Sequence, residues 1–397
     1  MKPRILKPLL PLLVSLFAGP AGAEWDFAGN VDLAARVFTE DARWPGQDDS
    51  TLQLSIAGSA EARWRVDDAR ASIIPYLRYD AIDDERSLAD LREAYWAQEA
   101  DSHELLLGFN TVFWGVTESV HLVDIINQTD AVADIDGETK LGQPMINLEL
   151  QRDWGLVGAY LMPWFRERTF AGEEGRLRTP LPVDADNAVF ESSDEENHVD
   201  LALRYSHYFG SVDIGLSLFS GTSRDPVLRP NEDASVLIPF YAQIDQFGLD
   251  LQYTGDAWLW KLEAIARESS TDRFNAAVGG FEYTFYQVAD SASDIGVILE
   301  LQYDGRADSE PPTLADNDLF AGIRLALNDA QDSDLLAGVG YDLKTSETYV
   351  NVEAERRLGD DYVVELRARF FTNAEPGDTS YAIEKDDYLQ LQLSRYF

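Results

Sequence analysis

Apolar and polar residues alternate, stretch after stretch, along almost the whole of this chain. In the last stretch Leu389, Leu391 and Leu393 take every second position and the terminal Phe397 keeps their phase. Gln390, Gln392 and Ser394 lie between them, and Arg395 is the one interruption of the apolar face. Leu52, Leu54, Ile56, Ala60, Ala62 and Trp64 likewise oppose Gln53, Ser55, Glu61, Arg63 and Arg65. Phe247, Leu249, Leu251 and Tyr253 oppose Gln246, Asp250 and Gln252, and Ile295, Val297, Leu299, Leu301 and Tyr303 oppose Glu300, Gln302 and Asp304. A period of two is a strand with one greasy and one polar face. The pattern predicts strands near 25–38, 52–66, 71–82, 91–99, 103–112, 145–152, 155–165, 198–209, 211–220, 238–253, 257–267, 275–286, 294–304, 318–328, 334–343, 347–357, 361–372 and 387–397.

The connections alternate as well. Gaps at 39–51, 113–144, 166–197, 221–237, 305–317 and 373–386 are long. Asp67 to Arg70, Asp153-Trp154, Gly210, Thr254-Gly255-Asp256 and a turn holding Gly359 are short. The regularity weakens around 268–293 and 344–346. Outer-membrane barrels alternate in this way, with long loops outside the cell and tight turns in the periplasm. A soluble sandwich has no reason to. The expected fold is all-β: a transmembrane antiparallel β-barrel of the outer-membrane type, with 18 strands, or 16 if the weakly alternating 91–99 and 334–343 are not strands. A chain ending on an aromatic residue in such a strand resembles the closing strand of these barrels, which implies contact with the barrel-assembly machinery.

Residues 1–23 read as an address. Lys2, Arg4 and Lys7 precede an apolar run from Leu9 to Gly19, and Ala21-Gly22-Ala23 offers small residues for cleavage. That is the layout of a secretory signal peptide, too short to span a bilayer as a helix. It leaves 24–397 as a single barrel domain with no room for an amino-terminal plug. No other segment approaches the ~20 apolar residues of a membrane helix. The chain has no cysteine and so no disulfide framework. Its 9 Trp, 17 Tyr and 19 Phe suit a barrel with interfacial girdles against outer-membrane lipid and lipopolysaccharide. The formal net charge is −39, which makes nucleic-acid binding untenable because phosphates would be repelled.

Strand phase assigns a lumen. With the apolar face toward lipid, Arg36, Glu61, Arg63, Arg65, Glu353, Glu355, Glu365, Arg367 and Arg369 point inward around the closure seam, and Arg204, Lys261 and Arg324 point inward elsewhere. Acids facing bases give a transverse field and a wetted path for small polar solutes; alternatively such pairs fill the barrel and satisfy one another. The 113–144 segment is unlike an exposed loop. Val120, Leu122, Val123, Ile125 and Ile126 are an apolar group that water would not favour. The spacing of Leu122, Ile125 and Ile126 predicts a short helix folded into the barrel. Glu118, Asp124 and Asn127 then face the pore as a constriction, and Asp130, Asp134, Asp136 and Glu138 return the chain to solvent. The alternative is a cap packed on other loops.

Leu91-Arg92-Glu93-Ala94-Tyr95, then Leu105-Leu106-Leu107-Gly108, Trp114-Gly115 and Asp124-Ile125-Ile126-Asn127 resemble the signature of a porin-like group related to alginate-export barrels. The resemblance implies an eighteen-stranded barrel. Phe109-Asn110 stands where that group carries Arg-Gln, and Gln128 where Pro is usual, while Asp130 keeps the closing acid. The missing arginine speaks against export of an acidic polysaccharide. His103, His121, His198 and His207 show no catalytic spacing, so no enzyme is expected. Glu191, Asp194, Glu195 and Glu196 cluster without a ligand motif, which reads as a solvated acidic surface, with no metal and no cofactor. The expected function is an outer-membrane channel, monomeric or trimeric, for small polar or mildly amphiphilic solutes. The alternative is a loop-closed barrel serving an envelope export system.

Overall fold

In the computed structural model, which describes residues 24–397, eighteen antiparallel strands form one closed sheet. They are β1 (Glu24–Phe38), β2 (Leu52–Val66), β3 (Ala69–Asp80), β4 (Leu88–Ala100), β5 (His103–Asn110) and β6 (Gln143–Arg152). Next come β7 (Gly155–Met162), β8 (Asp200–Phe209), β9 (Val212–Thr222), β10 (Gln243–Thr254), β11 (Trp258–Ser269) and β12 (Arg273–Phe285). The last six are β13 (Asp294–Asp304), β14 (Asp318–Ala326), β15 (Asp334–Asp342), β16 (Thr348–Leu358), β17 (Tyr362–Thr372) and β18 (Tyr388–Tyr396). Both weakly alternating stretches are strands of the wall, β4 and β15. The expected signal segment lies outside the described residues.

The barrel closes where β18 pairs with β1, with Tyr388 opposite Phe38 and Tyr396 opposite Asn30. Phe397 extends the seam by exchanging backbone hydrogen bonds of 3.0 Å with Gly29. Leu389, Leu391, Leu393 and Phe397 are exposed on the exterior, as are Leu52, Leu54 and Ile56 on β2 and Leu201 and Leu203 on β8. Aromatic side chains gather at the short-turn end: Trp154 stacks on Tyr205 at 6.2 Å, and Trp258, Trp260, Phe281 and Tyr283 form a cluster. An apolar band edged by aromatic rings, on a sheet with no free edge, is what a bilayer demands of a spanning strand structure. The protein belongs in the outer membrane.

The long and short connections alternate as expected, except that 270–272 and 343–347 are short on the long-loop side while 286–293 and 327–333 are longer on the other. One predicted strand, 238–253, is two elements. Leu237–Tyr241 leaves the wall and pairs antiparallel with Val227–Pro230 and parallel with Val189–Phe190, making a small sheet above the barrel. Pro239 has no N–H to give a wall ladder. The Tyr241 ring packs on Phe165 at 4.9 Å and on Phe190 at 5.2 Å, which holds the segment away from β10.

Candidate pore constriction

The segment 111–142 between β5 and β6 turns into the lumen and runs around its wall. Trp114, Val123, Ile125 and Ile126 are buried in one cluster with Leu106, Met145, Tyr160, Ala202, Phe219, Ile244, Ile265 and Phe274, inward residues of β5 to β12. Trp114 meets the Tyr160 ring edge-on at 5.5 Å, and the Arg204 guanidinium lies 5.0 Å from the Trp114 centroid. Gly115 follows with φ +154, where a Cβ would stand 2.9 Å from His121 Nδ1 and 3.1 Å from Glu263 Oε1. Only glycine lets the chain pass there.

The loop is irregular, so its N–H groups need partners inside the barrel. Glu263 on β11 supplies them, accepting from the N–H of Val116 (2.7 Å), Thr117 (3.1 Å) and Val123 (3.2 Å) and from the Thr117 hydroxyl (2.8 Å). Glu300 on β13 accepts from the N–H of Glu118 and Ser119, both 2.9 Å, and from the Ser119 hydroxyl at 2.5 Å. The expected short helix is absent: 121–126 is irregular, with a single turn at 122–123. Side-chain carboxylates take amides that a helix would give to its own carbonyls.

Two expected pore-facing residues are turned into the loop instead. Asn127 is buried; it accepts from the Val112 N–H (2.8 Å) and donates to the Asn110 and Leu141 carbonyls (2.9 and 2.8 Å), tying the neck of the loop. The Asp124 carboxylate takes the Lys140 ammonium at 3.0 Å and the Trp114 N–H at 3.2 Å, and burial pushes its pKa up against the pull of Lys140. Asp130 and Asp134 do not return the chain to solvent. Asp130 is wholly buried between Arg78, which reaches both its oxygens at 3.0 and 3.1 Å, and Arg92 at 3.0 Å. Asp134 meets Arg369 at 2.8 Å, Arg367 at 3.5 Å and the Tyr388 hydroxyl at 2.7 Å. Burial opposes both charges, yet the guanidiniums outweigh it and hold both carboxyls below the ordinary range.

Loop charge faces wall charge at two further places. At one, Glu118 projects from the loop to Arg324 at 2.7 Å and Lys261 at 3.5 Å. At the other, Asp136 and Glu138 lie beside Glu353 and Arg367, and Asp136 also meets Arg369 at 3.2 Å. Burial and the neighbouring Asp134 carboxylate push Asp136 up to about 7. Burial and Glu353 raise Glu138, with His121 and Arg367 acting against them.

The other sequence-assigned lumen residues fall into separate groups. Arg36 and Arg369 are covered by the loop: Arg36 donates to Gln390 (3.0 Å) and the Ala133 carbonyl (3.3 Å), and Arg369 also meets Glu353 at 2.6 Å. Glu61 pairs with Arg63 near the short-turn end, where Arg65 is exposed as well. Glu365 meets Arg367 at 3.1 Å and stands opposite Glu355 in the ladder. Arg204 pairs with Asp250 at 2.9 Å. Sequence reasoning missed Glu263, Glu300, Arg78 and Arg92. A lone acid between Leu262 and Ala264 was the signal available for Glu263.

Above the constriction the 163–199 connection crosses the mouth. Gly172 donates to Asp83 at 3.1 Å, Arg176 meets Asp386 at 2.5 Å, and Arg168 pairs with Asp225. Carboxylates converge at Asp134, Asp136 and Glu353, where Arg369 already sits, and at Asp316, Asp318 and Asp342, with oxygens within 4.8 Å of one another. Glu191, Asp194, Glu195 and Glu196 form no such group among the described residues. His207 is packed among Tyr205, Tyr208 and Phe209, and His198 bonds Asp200 at 2.9 Å.

A closed eighteen-stranded wall with an inward loop narrowing its lumen has the architecture of outer-membrane porin-type barrels. Among solved structures, OccK5 (OpdH) of Pseudomonas aeruginosa aligns over 94% of this chain and 97% of its own with a TM-score of 0.55 and 9% identity. OpdQ of the same organism aligns over 95% and 99%, with a TM-score of 0.52 and 11% identity. Wzi of Escherichia coli, an outer-membrane protein involved in group 1 capsule assembly and described as a carbohydrate-binding β-barrel, aligns over 92% and 83% with a TM-score of 0.53 and 9% identity. At such identities the likeness is one of fold. No protein-family model and no curated protein matches the sequence.

Proposed function

We propose that this barrel is a passive outer-membrane channel for small polar or mildly amphiphilic solutes, gated in size and charge by the 111–142 loop. The observation that carries the reading is the meeting of loop and wall charges: Glu118, Asp136 and Glu138 from the loop stand against Lys261, Arg324 and Arg367 from the wall. Such a transverse field orients dipolar solutes and admits ions of either sign, while the acidic chain enriches cations at its mouths. The expected lipid partners are outer-membrane lipid and lipopolysaccharide around the band, and the β18 strand addresses the assembly machinery. A kinship with alginate-export-type barrels remains part of this proposal, since Trp114-Gly115 and the Asp124 to Asn127 stretch build the constriction itself.

The 163–199 connection favours one second reading, because it crosses the mouth and is bonded on several sides: a loop-closed barrel serving as a partner in an envelope export system. Planar-bilayer recording of the purified barrel separates the two. The channel reading expects discrete conductance steps, with cation preference at low ionic strength that fades as salt screens beyond ~10 Å at about 0.1 M. It also expects a larger conductance after deletion of Val120 to Asp130. A persistently silent barrel supports the partner reading.

A further inference from the structure

Phe113 is exposed where an aromatic ring has no evident business being so. It precedes Trp114 at the start of the inward loop, yet 55% of it is exposed while Trp114 is buried. The barrel's other exposed apolar side chains lie mostly on the lipid-facing positions of strands. Phe113 faces the water of the lumen. Its ring meets the His121 imidazole edge-on at 4.8 Å, and at Gly115 a Cβ would stand 3.2 Å from Phe113 Cζ and 2.9 Å from His121 Nδ1. The two rings are therefore held as a pair over the loop backbone, with the imidazole 3.8 Å from buried Glu263. An apolar ring left in water is unfavourable, by roughly 25 cal/mol for each Å² exposed, and that cost is relieved whenever a flat apolar partner covers it.

Against burial, the carboxylates around the pair, Glu263, Asp124 and Glu138, together hold the His121 imidazole's pKa above its ordinary value. Glu118 is taken by Arg324 and Lys261, and Glu353 by Arg369. Glu138 is exposed, lies in the electrostatic reach of His121, and has no ion-pair partner within 4.0 Å among the described residues. We propose that Phe113, His121 and Glu138 form a recognition subsite for small protonated amines that carry a flat apolar ring. This rests on the channel reading and narrows its solute class. The solute ring covers Phe113 and stacks on the edge-on pair, as aromatic rings prefer, and its ammonium faces the Glu138 carboxylate.

The test is current interruption by three probes in planar bilayers: phenethylammonium, propylammonium and phenylacetate. At about pH 8 carboxylates are charged and alkylamines protonated. Phenethylammonium is expected to dwell roughly three- to tenfold longer than propylammonium, the factor an aromatic contact supplies. Phe113→Leu, which keeps an apolar side chain but loses the flat face, should erase that ratio without changing propylammonium. Glu138→Gln should shorten the dwell of both amines and leave phenylacetate unaffected. Equal dwell for the two amines, or a ratio that survives Phe113→Leu, overturns the inference while a conducting barrel preserves the channel reading. Longer dwell for phenylacetate than for phenethylammonium also overturns it. A wild-type barrel that never conducts overturns both.

Discussion

The two halves of the lumen wall hold the same loop by opposite means. From β5 to β12 the wall carries an apolar cluster, and the loop lays Val123, Ile125 and Ile126 on it as a soluble protein would pack a core, with Glu263 taking the loop's amides beside it. From β14 round to β4 the wall offers Arg324, Arg367, Arg369, Arg78 and Arg92, and the loop answers with Glu118, Asp134 and Asp130. Apolar contact has no direction, so it adheres without fixing position. A buried ion pair adds little net stability when intact but is expensive to half-break, so it resists displacement. The apolar cluster supplies adhesion, and the ion pairs together with the Glu263 carboxylate supply position.

The largest expected effect comes from breaking the charged half. Asp130→Asn leaves Arg78 buried without its counter-charge and Arg92 with Asp90 alone, and about 3–5 kcal/mol of stability should go with it. Thermal unfolding of the detergent-solubilised barrel reads this as a lowered midpoint; an unshifted midpoint would mean that the charged half does not anchor the loop. On the apolar half, Ile126→Ala should cost about 2–4 kcal/mol by leaving a cavity beside Met145 and Ile244. Its deficit should be the same at about 0.1 M and about 1 M salt, because no charge is involved. A deficit that changes with salt would erase the contrast between the halves.

Acidity gives a smaller, graded effect. Burial and the Asp134 carboxylate push Asp136 up to about 7 in the folded chain, from 3.8 for a free aspartate. The constriction therefore loses negative charge as pH falls through 7. Cation preference, read from reversal potentials, should weaken from about pH 8 to about pH 6 and stay flat in Asp136→Asn. For stability the sign is the same group's penalty: its ionised form is disfavoured in the fold, so it costs stability above pH 7 and the cost disappears as pH falls toward 3.8. A preference that strengthens on acidification would refute the assignment. The smallest effect is expected at the short-turn mouth. Arg63 is well exposed beside Glu61, so Arg63→Gln should move stability by no more than about 0.5 kcal/mol and shift ion preference only slightly toward cations.

Strand phase was legible because lipid and water sort every second side chain without regard to anything distant. That is why β13 and β18 alternate in the structure as they do on paper. The apolar inner wall was hidden for the same reason. Ile265 and Phe274 sit at inward positions of β11 and β12, where alternation predicts polar groups, and only the loop lying on them explains their character. The 237–241 stretch read as wall because its residues suit a strand; which strand it joins is a question of partners, not propensity.

Asp130 and Asp136 mark the boundary of what the sequence determines. Both are aspartates of one acidic run, and by pattern both were expected to lead the chain back to water. Pattern points to a closed barrel, to which side chains face inward, and to a 113–144 segment too apolar to lie bare in water, whether inside the barrel or packed on other loops. It does not settle which inward charges meet water. Arg78 and Arg92 reach Asp130 from strands some forty to fifty residues earlier in the chain and seal it. Asp136 also meets Arg369, at 3.2 Å, but shares it with Asp134 and Glu353, so burial and the neighbouring carboxylate keep its pKa raised. The charge state of each acid follows from how many guanidiniums reach it and how many other carboxylates share them, and only barrel closure brings those groups together.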